Sequence, residues 1–93
     1  MELLSFSHGD VQRHARPINS TDLAAARAVL HHERGPIFAA ELMDYIFSIE
    51  GQVLLLLRCV QHCDETFTRE DAEAMVFADD PFVRELYTRS GLI

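Results

Sequence analysis

Between Pro36 and Cys63 the chain carries its longest apolar stretch. It holds Ile37-Phe38, Leu42-Met43, Tyr45-Ile46-Phe47, Ile49 and the unbroken run Val53-Leu54-Leu55-Leu56-Leu57. Whatever fold forms has to bury most of it. At roughly 100° per residue, Phe38, Leu42, Tyr45, Ile46, Ile49, Val53, Leu56, Leu57 and Val60 fall on one broad face. Glu41, Asp44, Ser48, Gly51, Arg58 and His62 fall opposite. A core face and a water face at this period predict a helix, not a strand. Pro36 suits its first turn, and the rise to Cys63 is roughly 40 Å if nothing interrupts it. Gly51 lies midway, where glycine costs about 1 kcal/mol relative to alanine. A bend, a break or a close helix crossing is what a glycine there signals.

Leu55 departs from this division, because it lies on the polar stripe between Gly51 and Arg58. Met43, Phe47 and Leu54 form a second apolar strip beside the first. Two readings are open. Other helices of the chain cover these side chains, or Leu55 is one ordinary exposed leucine. Alternatively the strip is a surface for self-association or for a partner.

Ninety-three residues predict one domain, 1–93, with an adequate but modest core. A hydrophobic content of 48% argues against intrinsic disorder. The run 53–57 is far too short to span a bilayer. Met1-Glu2-Leu3-Leu4 lacks the basic start of a secretory signal, so a cytoplasmic location is the expectation. The net charge is −7, and all eight basic residues are arginine. That acidity disfavours a binder of phosphate backbones. Between Asp64 and Glu85 eight acids (64, 65, 70, 71, 73, 79, 80, 85) face only Arg69 and Arg84. Such a run is ordinarily a solvated face with helix caps. The alternative is a small acidic inhibitor or nucleic-acid mimic acting through residues 64–85.

The rest of the chain punctuates itself. Leu3, Leu4 and Phe6 precede the turn-like Ser7-His8-Gly9-Asp10, and Val11 to Arg16 alternates weakly before Pro17. Residues 1–18 therefore read as a short hairpin, 3–6 with 11–16, or as a flexible arm. Asn19-Ser20-Thr21-Asp22 starts a helix with Leu23, Ala26 and Leu30 on one face. His31, His32 and Arg34 suit its last turn, and Gly35-Pro36 ends it. Thr68-Arg69-Glu70-Asp71 resembles a capping box and opens a helix over about 69–78, burying Ala72, Met75 and Val76. Asp80-Pro81 opens a last helix from Phe82 to Arg89, burying Phe82, Val83 and Leu86, with Tyr87 as a further candidate for the same buried face. The expected fold is mainly α: about four helices around one long central helix, with a hairpin or arm in front.

No catalytic motif stands out. Cys59, His62 and Cys63 lie within about one helical turn and, with His31 or His32, offer zinc-type ligands. Cys59 and Cys63 point to the core edge, however, and His62 to water. The spacing matches neither a zinc knuckle nor a haem-attachment motif. Buried structural thiols, kept reduced, are the favoured reading, with no metal and no cofactor. A metal-binding regulator remains the alternative. Nothing places a base or an oxyanion hole beside either thiol. The four glycines are isolated, so there is no phosphate loop.

The segments Phe67-Thr68-Arg69-Glu70-Asp71 and Arg13-His14-Ala15-Arg16-Pro17-Ile18-Asn19-Ser20 resemble the tail assembly chaperones of long-tailed bacteriophages and prophages. In that family an apolar helix ends in an acidic turn, a Phe-Thr-x-Glu-Asp helix start follows, and a short helix closes the domain. The resemblance implies a helical protein that is not an enzyme. It would work in the bacterial host cytoplasm, bind the helical tape measure protein and help recruit tail tube subunits. The helical wheel alone nominates the contact residues: Met43, Phe47, Leu54 and Leu55, with Tyr87 at the edge.

Overall fold

The computed structural model describes residues 2–93. Strands β1 (Leu4–His8) and β2 (Val11–Ala15) form an antiparallel hairpin, with Leu4 opposite Ala15 and His8 opposite Val11. Gly9, and not Asp10, carries the positive φ of the two-residue turn. That is the φ pattern of a type II′ turn, whose twist matches the strands it joins. Two strands are marginal alone in water, so the hairpin needs something to lean on. Leu4 and Phe6 supply it. The Phe6 ring stacks on Phe82 at 4.1 Å between centroids and meets Phe67 edge-on at 6.3 Å.

Five helices follow: α1 (Ser20–Arg34), α2 (Ala39–Ile46), α3 (Ile49–Gln61), α4 (Arg69–Phe77) and α5 (Pro81–Arg89). Three of them begin where local chemistry places them. Asn19 caps α1 by accepting from the backbone N–H groups of Thr21 and Asp22, and Asp22 accepts from Asn19 in return. Thr68 and Asp71 do the same for α4, and Asp80 caps α5 ahead of Pro81. These exchanges satisfy amide groups that a bare helix end leaves orphaned. α3 sits at the centre and packs against α1, α2, α4, α5 and β2 around one hydrophobic core.

The expected single rod from 36 to 63 is not present. It is two helices, α2 and α3, separated at Phe47 and Ser48. Ser48 has an extended backbone and caps α3, with its Oγ accepting the Gly51 N–H at 3.1 Å. A break frees carbonyls that the helix would otherwise have used, and those of Tyr45, Ile46 and Phe47 find donors. Ser48 donates both its N–H and its hydroxyl to Tyr45 O, at 3.0 and 2.5 Å. The Gln52 amide donates to Phe47 O at 2.8 Å. The Tyr87 hydroxyl, reaching across from α5, donates to Ile46 O. A buried carbonyl left unpaired costs about 1–3 kcal/mol, so the Tyr87 hydroxyl matters most, because its bond to Ile46 O is the fully buried one of the three. Tyr87→Phe is accordingly expected to lower stability by about 1–3 kcal/mol in urea denaturation, since it deletes only the hydroxyl that serves Ile46. An unchanged midpoint would show that the carbonyl is satisfied in another way.

The break also resets which side chains face inward. Gly51 and Leu55, on the water side of a continuous helix, are both buried. Ile49, on its core side, is exposed. Leu55 therefore belongs to the interior of this chain and is not a surface contact. Tyr87 is likewise buried in this conformation, with its hydroxyl committed to Ile46. No helix among the described residues is long and apolar enough to cross a membrane.

Candidate functional site

Apolar side chains reach the surface at the α2–α3 corner. α2 sends Leu42, Tyr45 and Ile46 into the core. On its other side Met43 is 43% exposed, and Phe47, one turn further, is 41% exposed. Side chains four apart on a helix are neighbours, so these two share one face. Phe38, just before α2, is 79% exposed, and Ile49, just after the corner, is 56% exposed. Four large apolar side chains thus meet water within a dozen residues, where scattered single exposures would need no account.

Of the five residues nominated by the helical wheel, Met43 and Phe47 reach the surface and Leu54 is half-buried against the core. Leu55 and Tyr87 lie inside. Tyr87 nevertheless underlies the site. The Phe47 ring sits 5.3 Å from the Tyr87 ring, centroid to centroid, tilted by 48°. Beside them opens a cleft of about 190 Å³ lined by Phe47, Gln52, Asp79, Val83, Arg84, Tyr87 and Ile93. Sequence reasoning missed Val83 and Ile93 as lining residues, and also Phe38 and Ile49 as exposed ones. Ser48 followed by an acid at Glu50 was the local signal that a helix starts there. That would have moved Ile49 out of the core.

The cysteines separate. Cys59 is fully buried, while Cys63, beyond the end of α3, is exposed, as is His62. Among the described residues no group of three or more His, Cys, Asp or Glu side chains is arranged to hold a metal ion. Cys59 instead borders a buried ion cluster. Arg16, from the segment after β2, makes a two-pronged contact with Asp22 of α1, at 2.5 and 2.8 Å. Arg58 of α3 donates its Nε to the same carboxylate at 2.9 Å. The Asn19 N–H adds a fourth bond at 2.9 Å. Burial by itself would raise the Asp22 carboxyl, but the Arg16, Asn19 and Arg58 donors outweigh it and hold it down to about 2. Burial, with the Asp22 carboxylate beside it, pushes the Cys59 thiol up to about 12. A thiol held protonated in this way is a poor nucleophile and a poor metal ligand.

The acidic face is partly spent on the protein itself. Asp64 pairs with Arg13 at 2.5 Å, and that guanidinium lies 5.2 Å from the Phe67 ring centroid. Glu73 pairs with Arg69, Asp80 caps α5, and Asp71 caps α4 while standing 3.9 Å from His8. Glu65, Glu70, Asp79 and Glu85 make no side-chain hydrogen bond or ion pair with a described residue. A second and larger cleft, of about 510 Å³, lies between the hairpin and the end of α3 and includes Arg13, His14, His62, Cys63 and Asp64. Its strongest cation is already committed to Asp64.

No family model matches this chain, and neither a curated protein nor a solved structure is matched by it.

Proposed function

We propose that this chain is a non-enzymatic protein-binding module that holds a helical partner against the α2–α3 corner. One observation carries the reading: Met43 and Phe47 face water from a helix whose opposite side is already sunk in the core. Apolar side chains left over in this arrangement suit the groove-and-ridge docking of an amphipathic helix. Phe38 and Ile49, before and after them in the chain, are exposed as well. With the resemblance at Arg13–Ser20 and Phe67–Asp71, the specific proposal is a tail assembly chaperone of a long-tailed phage or prophage. It would act in the bacterial host cytoplasm on the tape measure protein and the tail tube subunits.

The test is co-expression with the tape measure and tail tube proteins encoded in the same genome, followed by size-exclusion chromatography. Co-elution of the wild-type chain is expected. The double variant Met43→Glu, Phe47→Glu should lose at least about tenfold in recovered complex, since both changes put charge into an apolar contact. Its far-UV circular dichroism should stay that of the wild type. Failure of the wild-type chain to co-elute, or full recovery with the double variant, sinks the reading.

A further inference from the structure

We infer that the cleft beside Tyr45 binds an alkylammonium group, of the kind that ends a free polyamine or a lysine side chain. This site goes beyond the protein-binding reading and does not depend on it. The cleft holds about 460 Å³, within the range of clefts that take small ligands. Its walls are Arg34 from the end of α1, Glu41, Asp44 and Tyr45 from α2, and Ile49 and Glu50 from α3. The lining itself sets the sign of the guest: three carboxylates stand against one guanidinium. Arg34 forms an ion pair with none of them. Two of the carboxylates have a use in the fold. Glu41 and Glu50 are first-turn acids of α2 and α3, and Glu41 also accepts the Phe38 N–H at 3.3 Å. Asp44 has no such use. It is exposed in the last turn of α2, the end at which helix carbonyls disfavour negative charge, and no basic residue in that turn answers it.

Tyr45 supplies an observation independent of charge. It is only 8% exposed, yet its hydroxyl makes no hydrogen bond with a described residue. A tyrosine hydroxyl this deep ordinarily finds a partner. Among the described residues Arg13 Nε is the one sealed side-chain polar atom without a partner, so the Tyr45 hydroxyl keeps contact with solvent, and the cleft that Tyr45 lines is where it does so. Burial, followed by the Glu50 and Glu33 carboxylates, pushes this hydroxyl above its usual pKa, which puts it within reach of the Glu50 charge and keeps it protonated. Arg69 acts in the opposite sense and is itself paired with Glu73 at 3.0 Å. The carboxylates do not converge as a metal would require: no group of three or more His, Cys, Asp or Glu side chains among the described residues is arranged to hold a metal ion. An ammonium needs no such convergence. It carries three N–H donors and no acceptor, so it can donate to Asp44 or Glu50 in charge-assisted bonds and to the Tyr45 oxygen. The hydroxyl proton is then left for a carboxylate. The exposed Ile49 gives the alkyl stem an apolar surface to lie along.

The experiment titrates the full chain at low salt and follows its amide NMR shifts. The probes are cadaverine, a lysine blocked at its α-amino and carboxyl groups, choline and magnesium chloride. Cadaverine and the blocked lysine should shift the amides of 34 and 41–50, saturably and one to one. Asp44→Asn should weaken both by about fivefold or more, and Tyr45→Phe by about threefold or more, without loss of stability in urea. Glu85→Gln removes the same unit of charge from an exposed position outside the cleft and should leave affinity within about 1.5-fold of wild type. Choline, which has no N–H to donate, should bind at least about fivefold more weakly than the blocked lysine. Cadaverine binding at least about fivefold tighter than the blocked lysine would mean that two ammonium groups are engaged at once, and makes a free polyamine the ligand. A smaller ratio makes it a lysine side chain, and either result supports the inference. No saturable shift with either amine overturns it. So does equal weakening by Glu85→Gln and Asp44→Asn, equal binding of choline, or displacement of cadaverine by magnesium at equal concentration.

Discussion

Gly51→Ala is expected to destabilise this protein by about 3 kcal/mol, at or above the usual ceiling for overpacking. Propensity alone points the other way: Gly51 is in the first turn of α3, and alanine inside a helix is about 1 kcal/mol better than glycine. Close approach decides the sign. A Cβ on Gly51 would stand 2.0 Å from the Tyr45 carbonyl oxygen and 2.8 Å from Ile46 Cα. Both are backbone atoms, so no side chain can swing away to make room. The only relief is for α2 to withdraw from α3. That would drag Ser48 off Tyr45 O and pull Ile46 O away from the Tyr87 hydroxyl. Urea denaturation of the variant, with amide NMR spectra to locate the change, should show a large loss in midpoint and shifts concentrated at 42–55 and around Tyr87. A variant as stable as the wild type, or more so, would mean that α2 and α3 run on as one helix in solution.

Asp22→Asn is expected to cost about 3–5 kcal/mol, the range for breaking one partner out of a buried ion pair. Asp22 is wholly buried and accepts from Arg16 twice, from Arg58 and from the Asn19 amide. An asparagine amide of the same shape would turn N–H groups towards those donors. It would also leave the buried Arg16 without a counter-charge. Arg58→Gln should cost less, about 1–2 kcal/mol, because the Arg58 side chain is 35% exposed and water replaces part of what it loses. The acid limb separates the two proteins further. The Asp22 carboxyl is depressed to about 2 in the folded state, against about 3.9 in an unfolded chain. Its contribution is therefore complete above about pH 4 and disappears as the pH falls towards 2. Wild-type stability should drop across that window, and the drop should be smaller in Asp22→Asn. Parallel acid limbs for the two proteins would remove the carboxylate from the account.

How much of this was legible in the sequence follows from how far apart the cooperating residues lie. The starts of α1, α4 and α5 were readable because Asn19 with Asp22, Thr68 with Asp71, and Asp80 with Pro81 act within one turn. The hairpin was half readable: Gly9-Asp10 marks a turn, but only Phe6 packing on Phe82 decides between a hairpin and an arm. The break at Phe47–Ser48 was masked by apolar periodicity that continues across it. Gly51 signalled a break or a close crossing, and both are present. What sequence could not supply was the tyrosine in another helix that donates its hydroxyl to the freed carbonyl. The ion cluster was opaque for the same reason. Asp22 reads as a solvated capping acid and Arg58 as a water-face cation until α1 and α3 are laid side by side. At the candidate site, Met43 and Phe47 were found because they are neighbours on one helix. Val83 and Ile93 were not, because the cleft exists only where five segments converge.

The contrast between the two thiols has a practical side. Cys59 is sealed beside Asp22 and held protonated, and Cys63 is open to solvent. The natural sequence therefore offers one attachment point for a maleimide dye or spin label, with no cysteine to engineer out. That point lies past the far end of α3, about 20 Å along the helix from the Phe47 corner. A reporter mounted there watches the α2–α3 corner from a distance and does not obstruct it.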